Sequence, residues 1–149
     1  MARHILFPGL RSNPLTTIRL RTSSERNDAL QLADWMIGVP RPKLDHVTNI
    51  AAVFLSGVVL HMLYTSRQHR QAVTPEDLAC SLTSEPAPTM QLYEAMWNNR
   101  HGTPTAAGFI EDVPNAAVSD VGHMMLNQRL NDILTAHGII ERALARFIR

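Results

Sequence analysis

Aromatic residues and cysteine are scarce in this chain, and their scarcity narrows the fold first. Phe, Trp and Tyr make up 5% of the residues, so a core has to come from Leu, Ile, Val, Ala and Met. That supply suits helices better than a β-sandwich, which draws on aromatic and β-branched residues. The single cysteine, Cys80, excludes an intrachain disulfide and fits a reducing compartment. An excess of charge of one sign is missing too. The formal net charge is +1, which gives neither the field of a strongly electrostatic nucleic-acid binder nor an acidic tail.

Catalytic motifs are also lacking. The sequence contains no GxxxxGK[ST] phosphate loop, no GxGxxG, no HExxH, no CxxC and no GxSxG. The expectation is a protein that is not an enzyme and uses no cofactor. The apolar run Ile5-Leu6-Phe7 stops at Pro8-Gly9, too short for a signal peptide.

What is present is enough for one domain. Apolar residues form 45% of 149, which excludes disorder and supports a real core. Residues 1–22 read as an extended stub, with β-compatible pieces at 4–7 and 16–20 broken by Pro8, Gly9, Asn13 and Pro14. Residues 23–149 read as a helical bundle.

The strongest signal is a helix near Val47–Tyr64. Val47, Ile50, Ala51, Phe54, Leu55, Val58, Val59, Met62 and Leu63 recur at helical spacing, with Asp45 or Thr48 as cap. No acidic residue, lysine or arginine lies between Asp45 and Arg67, a length that could span a bilayer. Thr48, Asn49, Ser56 and His61 interrupt the run, so a buried core helix is the expected state. Gly57 weakens the helix and can admit a close neighbour.

Other helices follow from caps and periodicity. A first helix starts near Ser24: Thr22 and Glu25 have capping-box spacing, Ser23 or Ser24 could also cap, Ala29, Leu32, Ala33 and Met36 follow, and Gly38 suits the residue after the helix end. Thr74-Pro75-Glu76-Asp77 opens a short helix that ends before Pro86. Another is expected from Met90 to Asn99, anchored by Leu92, Tyr93, Met96 and Trp97. Residues 101–114 read as a loop. The remainder is helical, with a break near Asn127–Asn131.

Polar candidates are few. The histidines His4, His46, His61, His69, His101, His123 and His137 are scattered, and no pair has the i, i+4 spacing of helical metal ligands. His61, inside the apolar helix, reads as a partnered core or boundary histidine. Cys80 reads as an idle thiol and Glu111-Asp112 as a solvated turn. Arg67, His69, Arg70 and Arg100 can form a modest basic patch, read first as helix-end charge and otherwise as contact with an acidic peptide or DNA phosphates.

Four stretches together resemble a known family. Ile5-Leu6-Phe7 with Asn13-Pro14-Leu15 and Ile18-Arg19 is like a strand and "NPL" turn. Phe54 to Tyr64 (FLSGVVLHMLY) is similar to "LLVGAILHVLY". Leu78 to Pro86, with Ser84-Glu85-Pro86, is like "FLSDP". Met125-Leu126-Asn127-Gln128 followed by Asn131-Asp132 is similar to "MLNK" and then "NE". In this order they resemble the all-α domain inserted in the ATPase domain of type IV secretion coupling proteins. The nucleotide-binding motifs of that family are missing, and its "FDPT" step is reduced to Phe7-Pro8-Gly9.

The resemblance implies an all-α compact bundle of about five to seven helices that recruits secretion substrates without hydrolysing ATP. Implied partners are secreted effector proteins or a relaxase, held through C-terminal signals, with single-stranded DNA as the alternative. An independent small helical adaptor or effector is a further alternative. The implied location is the cytoplasmic face of the bacterial inner membrane, with no membrane contact by this domain and a hexamer only through the full-length ATPase. Candidate contact residues are Arg67, Arg70, Glu85, Glu94, Trp97 and Arg100.

Overall fold

The computed structural model describes residues 13–38, 45–69, 72–82, 86–105 and 109–147. Among them six α-helices form an all-α bundle, joined by a single two-stranded ribbon. The helices are α1 (Glu25–Ile37), α2 (His46–His69), α3 (Pro75–Ser81), α4 (Pro86–Trp97), α5 (Ala116–Leu126) and α6 (Leu130–Ala145). Strands β1 (Thr103–Pro104) and β2 (Ile110–Glu111) pair antiparallel within the expected loop. The pieces at 4–7 and the "FDPT"-like step lie outside the described residues.

The long apolar helix is the centre of the bundle. α2 packs against α1, α5 and α6, and Phe54, Leu55, Val58 and Val59 are fully buried. Each large side chain of this kind contributes roughly 1.5–3 kcal/mol. By length and composition α2 could cross a membrane, but 67% of its apolar window is buried inside the protein, as a core helix requires. The Asp45 side chain accepts from the Thr48 amide at 2.7 Å, which caps the first turn and holds the Asp45 carboxyl below its usual range.

Phe54 meets Tyr93 of α4 edge-on, with ring centroids 5.3 Å apart. The Tyr93 hydroxyl and His137 Nε2 of α6 are 2.6 Å apart, so a buried polar pair ties α4 to α6 beside that ring. Burial lowers the pKa of His137 and raises that of Tyr93.

Two expectations for the chain's first part are corrected. Pro14–Thr17 is a 3-10 turn rather than an extended piece, because Asn13 accepts from the Leu15 amide and Pro14 fixes the first φ. Ile18 after it returns to extended backbone, and the chain turns again from Leu20. The Thr22–Glu25 capping box does not form either. Ser24 occupies the cap position without a side-chain bond, and the Glu25 carboxylate turns inward instead.

Elsewhere the local signals hold. Gly38 ends α1 at φ 80°. The Thr74–Asp77 capping box is complete, with the Asp77 carboxylate accepting from the Thr74 amide at 2.8 Å. α4 begins at Pro86, earlier than Met90, because prolines in a first turn remove only amides that lack helical partners anyway. Asn115 caps α5, and Asn127 to Arg129 separate it from α6.

Glycines let two helix pairs come close. A β-carbon at Gly57 of α2 would lie 2.6 Å from Val121 Cγ1 of α5. One at Gly122 would lie 2.6 Å from both the Trp97 amide nitrogen and the Tyr93 carbonyl oxygen of α4. Backbone cannot yield as a flexible side chain can, so Gly122→Ala should destabilise the protein by about 1–3 kcal/mol. Gly138→Ala, which meets nothing nearer than an Arg142 nitrogen at 3.8 Å, should stabilise it by up to about 1 kcal/mol. Chemical denaturation of the two variants checks the opposite signs.

Candidate recognition surface and its polar anchor

Helix α4 turns Tyr93 and Met96 into the core and leaves Met90, Glu94 and Trp97 outward. Their spacing of four and three residues makes one ridge. Trp97 is 45% exposed and Met90 40%. Trp97 stacks obliquely on His123 of α5, with centroids 4.9 Å apart. Its carbonyl accepts from the Ser119 hydroxyl at 2.9 Å, so α5 holds both the ring and the backbone.

Beside this ridge lies the start of α6. Leu130 and Leu134 are 59% and 45% exposed. With Met90 they line a pit of about 30 Å³ between α4 and α6, floored by Tyr93 and His137. Exposed large apolar side chains grouped in this way mark contact sites more often than isolated ones do.

The chain leaving α4 is fixed by a buried polar cluster. Asn99 accepts at Oδ1 from the His101 amide at 3.1 Å and from the Asn115 amide at 2.8 Å. The Asn115 side chain donates to the Gly102 carbonyl at 3.0 Å and to Glu25 Oε1 at 2.8 Å. Glu25 Oε2 accepts from the Arg21 amide at 3.0 Å and from the Tyr64 hydroxyl. Glu25 is 4% exposed. Burial, then the adjacent Glu25, pushes the Tyr64 hydroxyl far above its usual range and keeps it a donor.

Rings complete the cluster. Tyr64 stacks on His101, with centroids 5.2 Å apart and planes 14° apart. His61 Nδ1 and His101 Nε2 are 2.9 Å apart. The Arg21 guanidinium lies 4.6 Å from the centre of the Tyr64 ring and donates to the His101 carbonyl at 2.6 Å. Arg21 has φ 63°, a conformation costly for a residue with a β-carbon, and these contacts hold it there. Burial and the neighbouring His101 lower the pKa of His61 to about 4.

The predicted contact residues do not all come together. Glu94 and Trp97 share the α4 ridge, and Arg100 is exposed just beyond it. Arg67 belongs to a different surface, a groove between α2 and the 3-10 turn that also includes Leu15 and Val73. Arg70 and Glu85 lie outside the described residues. Trp97, expected as an anchor of α4, is half outside the core because its neighbours Tyr93 and Met96 take the inward positions.

Sequence reasoning missed several residues. Leu130 and Leu134 fit the helical periodicity and gave no sign that they face solvent. Asn99 and Asn115 carried no motif, and Glu25 was read as a cap. Cys80 is exposed and borders, with His61 and Asp77, a groove of about 440 Å³ between α2 and α3. Among the described residues no group of three or more His, Cys, Asp or Glu side chains could hold a metal ion.

Comparison with family models, with curated proteins and with solved structures gives no match.

The anchor has a measurable weight. Glu25→Ala removes the acceptor of three donors, and each buried donor left unpaired costs about 1–3 kcal/mol. The Asn115 side chain keeps its bond to Gly102, so the expected loss is about 2–4 kcal/mol. Equilibrium denaturation checks it, and a loss under about 0.5 kcal/mol, the scale of an ordinary surface change, would show that the cluster is not an anchor.

Proposed function

We propose that this chain is a substrate-recruitment domain of the type IV secretion coupling kind, which captures C-terminal signals of secreted effectors or of a relaxase. The observation that carries the reading is the exposed ridge Met90–Glu94–Trp97 beside Leu130 and Leu134. It is an apolar, partly acidic helix face held by a rigid frame, suited to an extended or helical peptide. The helical bundle supports the reading, as does the place within it of the resembling stretches that lie among the described residues. His61 and Tyr64, in the segment of greatest likeness, serve the internal polar cluster. Asn13-Pro14-Leu15 shapes the entry to α1, and Asn127-Gln128 separates α5 from α6. The likeness therefore rests on residues that build the frame rather than on the ridge.

A second reading has its own observation. Trp97 stacked on His123, next to exposed Arg100, could receive a nucleic-acid base, as aromatic platforms do in single-strand binders. The two readings differ in salt dependence, since phosphate contacts release counterions.

The test is titration of the chain against effector C-terminal domains and labelled single-stranded DNA, at two salt concentrations. Recruitment of protein signals predicts saturable peptide binding with shallow salt dependence. It predicts that Trp97→Ala weakens binding by about tenfold or more, as truncating a central aromatic contact does. Binding of DNA alone, falling steeply with salt, would replace this reading with the second.

A further inference from the structure

His61 and His101 meet through ring nitrogens 2.9 Å apart, with Tyr64 stacked flat on His101. A contact between two imidazole nitrogens needs one hydrogen between them. The neutral pair supplies it from one ring. A pair with one extra proton also supplies it, now as a charge-assisted bond. A pair with two extra protons has a hydrogen on each facing nitrogen and two like charges, and the contact fails.

We propose that the His61–His101 contact is a two-proton latch on the Asn99–Gly102 segment, holding while the pair carries at most one extra proton and releasing when both rings are charged. His101 stands in the middle of that segment, and its amide and carbonyl are bonded to Asn99 and Arg21. His61 stands on α2 and borders the α2–α3 groove, so solvent reaches the latch from that side.

The charged neighbours set the order of the two protons. Arg21, at the His101 carbonyl, opposes charge on His101, and the Glu25 carboxylate favours it. Tyr64 stays neutral and donates to Glu25. Across the groove α3 presents Asp77 and Cys80. From the ribbon, the Ile110 side chain and the Glu111 carbonyl lie against Gly102. Burial lowers both rings, but charge on His101 lowers His61 further while the Glu25 carboxylate supports His101, so His61 takes the second proton. Its pKa of about 4 places the release there. The latch acts whatever partner Trp97 meets, so it stands apart from the recruitment reading.

The test is a pH series on the whole chain from 8 to 3.5. Nitrogen shifts of the histidine rings are followed together with amide exchange protection. The expected result is two titration steps shared by both rings. Protection of the His101 and Asn115 amides should persist through the first step. It should then fall at least about tenfold further than that of the α2 core amides through the second. In His61→Gln, which cannot take the second proton, the selective loss should disappear, and in His137→Gln it should remain. The proposal is overturned if protection is lost at the first step or if core and segment lose it together. A selective loss that survives in His61→Gln also overturns it. If His61→Gln does not fold, independent single-step titration of the two rings in the unmodified chain overturns it as well.

Discussion

The Glu25 carboxylate is the constraint on which the architecture around α4 depends. A buried carboxylate is tolerated only where donors replace the water it has lost. Here they come from three places in the chain: the Arg21 amide, the Tyr64 hydroxyl on α2 and the Asn115 side chain at the start of α5. Asn115 passes the constraint on to Gly102, and Asn99 binds both Asn115 and His101. The loop after α4 is thus fixed by hydrogen bonds rather than by apolar burial. Its direction is therefore specific in a way that packing alone would not give, because each bond has one geometry and each unpaired group a cost.

The apolar core does different work. α2 supplies a continuous buried surface to its neighbours, above all α1, α5 and α6, and small residues decide how near they come. Gly57 admits Val121, and Gly122 lets α5 touch the backbone of α4 at Tyr93 and Trp97. The second approach sets how α4, which carries the exposed ridge, lies against α5. α5 thus lies against Trp97's own amide, and the indole rests on His123 at the surface.

The fold was largely legible in the sequence and the site was not, for one physical reason. Helices announce themselves through local repetition, and caps act within one turn. Asp45 before α2, the Thr74–Asp77 box and Gly38 after α1 were therefore readable, and so was the break near Asn127. The polar cluster joins residues as far apart as Glu25 and Asn115, and no periodicity records such a pairing. Glu25 even gave a misleading local signal, because capping-box spacing to Thr22 is necessary for the box and not sufficient. A stronger claim on its carboxylate came from the interior. Leu130 and Leu134 misled in the same direction, since an apolar residue at helical spacing says which face it shares but not whether a neighbour covers that face.

The same asymmetry bears on function. In α4, Met90 and Trp97 are seven residues apart and point nearly the same way, while Tyr93 and Met96 between them point into the core. A helix with one buried stripe must expose its flanks, and here they carry Met90 and Trp97 among the polar Gln91 and Glu94. Packing needs only the inner stripe, so it gives no reason for Met90 or Trp97. The beginning of α6 repeats the pattern with Leu130 and Leu134. Two helices thus carry outward apolar residues from different parts of the chain, and these meet at one pit over Tyr93 and His137, the kind of grouping that the proposed recruitment role would use.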